Sequence, residues 1–175
     1  VPAGLIGLGI GWATAAYVSD DFIIFLVGLI SLLFVADHVR KRGRKSEPQQ
    51  HNVPKGLTCG TIAGFTSFVC HTGGPPFQLY MLPLRLAPAL FAGTSVIFFS
   101  VMNTVKLIPY FMLGQFDTTN LMTSAVLLPI APVATLTGYW LVKIVDPAFF
   151  YRFVYVMMGI IGIKLVYDGL ANYLL

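Results

Sequence analysis

The sequence predicts an all-α fold, a polytopic transmembrane helix bundle with inverted repeats and a broken, re-entrant helical hairpin. Three observations predict it. Of 175 residues, 57% are hydrophobic and 10% charged, and mean hydropathy is +0.80; soluble domains carry about 25% charged residues. One apolar segment, Leu57–Leu84, is interrupted by His71-Thr72-Gly73-Gly74-Pro75-Pro76. Its two pieces each fall short of the roughly 20 residues that cross a bilayer as a helix. The first and last helix pairs also resemble each other when the numbering is shifted by 127, which brings Pro2 onto Pro129, Gly11 onto Gly138, Trp12 onto Tyr139, Val18 onto Val145 and Phe22 onto Phe149. Internal symmetry of this kind is a mark of transporter folds.

Taken in order, Ala3–Val18 is apolar and glycine-rich, and Gly7-x-x-x-Gly11 predicts a membrane helix with a close-packing face. Ser19-Asp20-Asp21 is a polar turn, Phe22–Ala36 a second helix, and Asp37-His38 its exit. Residues 1–37 are thus two transmembrane helices that end a first repeat. Residues 38–55 form the long hydrophilic segment and hold six of the 11 Lys and Arg: Arg40, Lys41, Arg42, Arg44, Lys45 and Lys55. Basic runs also occur in nucleic-acid-binding segments. Between membrane helices this one reads as a cytoplasmic loop obeying the positive-inside bias, with no nucleic-acid partner.

Residues 56–175 form the second repeat, namely the broken hairpin 57–84 and transmembrane helices 89–113, 121–142 and 149–170. Gly114–Thr119 is a turn whose Asp and Thr side chains suit a helix cap. Cys59 and Cys70 stand in apolar context and read as small buried hydrophobes. With 38–55 cytoplasmic, a hairpin that returns to its own side keeps Arg85, Lys143 and Arg152 cytoplasmic, whereas a crossing element would expel them. The hairpin also makes the repeats antiparallel. The offset then predicts that roughly 70 residues of a first half precede Val1.

The break is the first place to look for binding. Broken backbone at membrane depth is tolerated where it is buried in protein or lines a wet cavity, and transporters bind substrate at such breaks. Pro75 and Pro76 suit the first turn of a half-helix, whose positive dipole end favours anions. The Thr72 hydroxyl and the Gly73 and Gly74 amides are candidate contacts for an oxyanion. The bland alternative is a loop punctuated by Gly and Pro. His71 is a candidate proton relay, with H+ as the coupling ion, or else a hydrogen-bonded structural histidine. Asn103 and Lys106 lie inside an apolar span, on a face with Ser100 and Tyr110. A lysine there is a functional candidate by default, unless it snorkels to the interface. Thr94 and Ser95 are candidates for the same cavity, or bond their own helix. Lys164 and Asp168 read as a local ion pair, and Arg85 and Arg152 as interface anchors.

Nothing in the pattern indicates ATPase or metal chemistry, and no cofactor or metal site is expected. An intramembrane enzyme would need a nucleophile beside a base. Cys70-His71 is the one candidate, and adjacent helical residues point about 100° apart. The chain therefore reads as no enzyme. The rival reading is a non-transporting membrane assembly or sensor subunit, and a homo-oligomer is compatible with either.

Gly56-Leu57, Gly60, Gly64-Phe65, Ser67 and Thr72-Gly73-Gly74-Pro75-Pro76 together resemble the second-repeat motif of the TauE/SafE sulfite-exporter-like permeases. Gly93-Thr94-Ser95, Asn103, Lys106, Tyr110 and Gly114 are similar to that family's next helix. Leu128-Pro129, Gly138, Val142, Phe149-Phe150-Tyr151-Arg152 and Gly159 are similar to its closing pair. The likeness covers most of the chain but lacks the first half's opening motif, which implies an N-terminally truncated member. It implies a multi-pass permease of the bacterial inner membrane that moves sulfite, sulfonates or related organic anions.

Overall fold

The computed structural model describes residues 1–14, 17, 19–41, 48–112 and 118–174, with backbone alone for 119, 120 and 172–174. Val18, much of the basic segment and most of the 114–119 turn lie outside the described residues. Among those described, all regular structure is helical. The helices are α1 (Pro2–Thr14), α2 (Asp20–Arg40), α3 (Val53–Cys70), α4 (Gly74–Met81, extended by a 3₁₀ turn Leu82–Leu84), α5 (Pro88–Met112), α6 (Thr118–Leu127), α7 (Ile130–Ile144) and α8 (Pro147–Leu174).

Local chemistry sets several boundaries. The Ser19 side chain accepts from Phe22 N–H at the start of α2, and Asp20 and Asp21 in the first turn complement the helix dipole. Asn52 accepts from Lys55 N–H at 3.0 Å to open α3. Asp146 accepts from Phe149 N–H at 3.0 Å to open α8, with Pro147 in its first position.

Among the described residues, three helices, α2, α5 and α8, are long and apolar enough to cross a membrane. The single span expected over 121–142 is two helices instead, α6 and α7, bent by 47° between Leu127 and Ile130. Pro129 has no N–H to continue the ladder and its ring crowds the preceding turn, so the helix restarts after it. Pro132 falls in the first turn of α7, where no donor is needed.

Two glycine seams hold the bundle. Helix α1 lies on α3 so closely that a Cβ on Gly7 would stand 1.9 Å from Thr61 O, and one on Gly64 would stand 1.9 Å from Gly4 O. Helix α2 lies on α8 in the same manner, with Gly28 against Val166 N and Gly169 against Asp21 O, each 2.7 Å from a built Cβ. In lipid there is no hydrophobic drive between helices, so close backbone approach through small residues supplies the association. Helix α4 docks on α5 through Phe77, whose ring centroid is 4.8 Å from Phe98 and 5.3 Å from Phe99.

The broken element folds back on itself. Gln49 N–H donates to Pro83 O at 2.9 Å, the Tyr80 ring meets Gly56, and the His51 and Tyr80 rings are 6.0 Å apart. Residues before α3 therefore touch residues after α4, and the chain enters and leaves this hairpin at one end of the bundle. Helices α2 and α8 begin 127 residues apart, the offset read from the sequence. Their neighbours differ: α1 is buried on α3, while α7 has no buried residue and presents Leu136, Tyr139 and Trp140 outward.

Candidate functional site

The site grows from the way α3 stops. His71 adopts the left-handed conformation (φ 55°, ψ 18°), and its N–H turns back to Thr66 O. Thr72 N–H reaches the same carbonyl at 3.1 Å. These are the bonds of a left-handed C-terminal cap. Thr66 itself is buried and donates to Ile62 O at 2.9 Å. The Thr72 hydroxyl and the Cys70 thiol lie 2.8 Å apart, folding the Thr72 side chain against α3.

Gly73 then turns the chain. It is buried, and a Cβ on it would stand 2.6 Å from both Ala63 O and the Ser67 Cβ, so only glycine fits this approach to α3. Gly74 opens α4 with nothing within 4 Å of where a Cβ would be. Pro75 and Pro76 follow, both buried and lacking N–H groups, and Phe77 N–H is used by Gly73 O at 3.3 Å. The donors left for a ligand at this helix start are therefore the amides of Gly73 and Gly74.

Lys106 of α5 meets this turn from the side. It is 3% exposed, and its ammonium donates to Ser67 Oγ at 2.8 Å and to the Ser67 carbonyl. Ser67 is 4% exposed and is the residue on which Gly73 rests. Ammonium, hydroxyl and glycine turn are thus contiguous. An ammonium has three N–H donors, and two are used. Among the described residues, no carboxylate lies within 4 Å of Lys106. A buried cation in a membrane span without a counter-charge is costly, and it stands where a small anion would neutralise it. His71 is exposed at the rim, its Nε2 3.3 Å from Tyr110 Oη.

The family model of the sulfite exporter TauE/SafE matches residues 1–165. The chain belongs to the TauE/SafE family. No curated protein and no solved structure matches it. The family is one of membrane permeases, and with its apolar helices this TauE/SafE chain is a multi-pass membrane protein.

Of the residues that the sequence singled out in this TauE/SafE chain, the structure joins Lys106 to the turn at Gly73 and places His71, Thr72, Gly74 and Pro75 around it. It does not bring in the rest. Thr94 donates to Leu90 O at 2.7 Å and Ser95 to Phe91 O at 2.8 Å, each within its own helix. Thr94 lines a different cavity of about 390 Å³ with Tyr80 and Phe77. It sits twelve residues before Lys106, about 18 Å along the axis at 1.5 Å per residue, so one small ion cannot touch both. Asn103 is exposed, outside the buried row Phe98, Met102 and Lys106. Lys106 points inward and does not snorkel.

Ser67 is the partner of Lys106 that the residue-by-residue reading missed. Its signal was a polar side chain one turn before the break. Cys70 and His71 form no dyad: the thiol is bonded to Thr72 and Thr66, and the imidazole faces Tyr110. The site lies nearer the bundle end opposite the basic segment, since Lys106 is six residues, about 9 Å, from the end of α5.

Proposed function

We propose that this TauE/SafE protein is a secondary transporter of a small oxyanion such as sulfite or a sulfonate, bound between Lys106, Ser67 and the Gly73-Gly74 turn. The observation that carries the reading is the buried Lys106 ammonium, which among the described residues donates only to Ser67 and has no carboxylate within 4 Å. An oxyanion there takes the third N–H, the Ser67 hydroxyl and the open amide of Gly74, and lies at the positive end of α4. His71, at the rim beside Tyr110, is the group placed to carry a proton with the anion. Residues 38–41 and 48–55 face the cytoplasm under the positive-inside bias, in the inner membrane of a bacterium. Alternating access follows if the hairpin and α5 separate about the Lys106–Ser67 contact, opening the site first to one side and then to the other.

The test is uptake of labelled sulfite and small sulfonates into proteoliposomes, with and without a pH gradient, comparing wild type with Lys106→Met. The methionine keeps length and removes charge. Flux should fall at least ten-fold while the protein elutes and melts as wild type. Equal flux would place the anion elsewhere, and no flux of any anion by wild type would favour a non-transporting subunit.

A further inference from the structure

At the opposite end of the bundle from Lys106 lies a cavity of about 650 Å³, between the end of α2, the turn before α5 and the start of α8. Two guanidiniums, Arg85 and Arg152, and the imidazole of His38 line it. The rest of the wall is mainly apolar, with Val39 and Val156 at its exposed margin. The frame is rigid. Arg85 is held in the left-handed conformation (φ 48°) by its N–H to Leu82 O at 3.2 Å. Tyr151 donates its hydroxyl to Leu86 O at 2.7 Å, tying α8 to the same turn, and His38 stacks on Tyr155 at 3.6 Å between centroids.

The carboxylates nearby in sequence are engaged. Asp37 pairs with Lys41 at 2.7 Å, and Asp146 caps α8. Among the described residues, neither Arg85 nor Arg152 has a carboxylate within 4 Å. Among the described residues, the cavity thus brings together two arginines with no carboxylate partner next to apolar walls, at the bundle end that carries the basic segment.

We infer that this cavity binds the headgroup of an anionic phospholipid, its phosphodiester between Arg85 and Arg152 and its acyl chains along Val39 and Val156. Guanidinium forks match phosphate oxygens. Basic pockets between membrane helices on the positively charged side take such headgroups. The volume leaves room for more than a lone small oxyanion, because cavities of roughly 300–1,000 Å³ accommodate ligands of drug size. The apolar margin gives the acyl chains a surface that a soluble ion has no use for. The site is separate from the one at Lys106 and stands whether or not that reading holds.

Native mass spectrometry of the full chain in detergent, titrated with phosphatidylglycerol or phosphatidylcholine of equal chain length, tests it. Phosphatidylglycerol should bind at least ten-fold more tightly. Joint replacement Arg85→Gln and Arg152→Gln should remove that preference, at about five-fold for each arginine. Lys55→Gln, at the same end but outside the cavity, should change binding less than two-fold. Equal affinity for the two lipids would overturn the proposal, as would a Lys55→Gln loss as large as that of the arginine pair. Displacement of phosphatidylglycerol by millimolar inorganic phosphate or sulfite would assign the cavity to a soluble anion and overturn the lipid. Should the paired variant not fold, the wild-type lipid comparison, Lys55→Gln and the phosphate competition decide alone.

Discussion

Lys106 and Ser67 divide one job between two helices. Ser67 supplies two oxygens to a charge that the bilayer disfavours, and Lys106 in return ties α5 to the turn that ends α3. Removing only the hydroxyl leaves a charged donor short of a partner, and Ser67→Ala should cost about 1–3 kcal/mol in an unfolding titration. Lys106→Met removes charge and need together. In that background Ser67→Ala should cost less than half as much, and additivity of the two changes would mean they are not coupled. The two glycines of the turn make a sharper pair. A methyl on Gly73 strikes Ala63 O and Ser67, whereas one on Gly74 enters open space. Gly73→Ala should therefore misfold or lose several degrees of Tm. Gly74→Ala should melt as wild type yet lose oxyanion flux, because the methyl occupies the room a bound ion needs. A fully active Gly74→Ala protein would move the ion away from this turn.

At the scale of elements, the helices pair by backbone proximity. Gly7 on α1 and Gly64 on α3 each leave less than 2 Å for a Cβ, while Gly9 on α1 faces open space. Gly7→Ala or Gly64→Ala must push α1 away from α3. Overpacking of this kind typically costs about 1–3 kcal/mol, and here the obstacle is rigid backbone. Gly9→Ala on the same helix should be neutral, so comparing the two melting curves separates seam contact from loss of glycine as such. Helices α6 and α7 show how a local breaker outweighs an apolar run: Pro129 costs the ladder a donor in the middle of a stretch otherwise long enough to span.

At the scale of the whole molecule, the hairpin's return brings residues 49–56 against residues 80–83. Cysteines placed singly at Gln50 and Arg85, in a background with Cys59 and Cys70 replaced by alanine, should react with a membrane-impermeant maleimide from one and the same side of sealed vesicles. Labelling from opposite sides would mean that the element crosses. The same arrangement puts the Lys106 site and the arginine-lined cavity at opposite ends of α5, so a change at one should leave binding at the other unaltered.

Sequence by itself determined the membrane class, the order of the helices, the 127-residue offset and the position of the break. Each of these is written locally, in composition, in polar turns such as Ser19-Asp20-Asp21, and in His71–Pro76 as a run that no helix can continue. It also marked Lys106, because a lysine in an apolar span is conspicuous on its own. The bend at Pro129 was missed, because a long apolar run masks a single breaker. Only the tertiary structure decided that Lys106 meets Ser67, 39 residues away, and that Asn103 turns outward and Thr94 faces another cavity. It also decided that Arg85 and Arg152 share one cavity. The physical reason is rotational phase. Helical spacing says which side chains share a face, but which face turns inward depends on how closely a glycine seam elsewhere lets the neighbouring backbone approach.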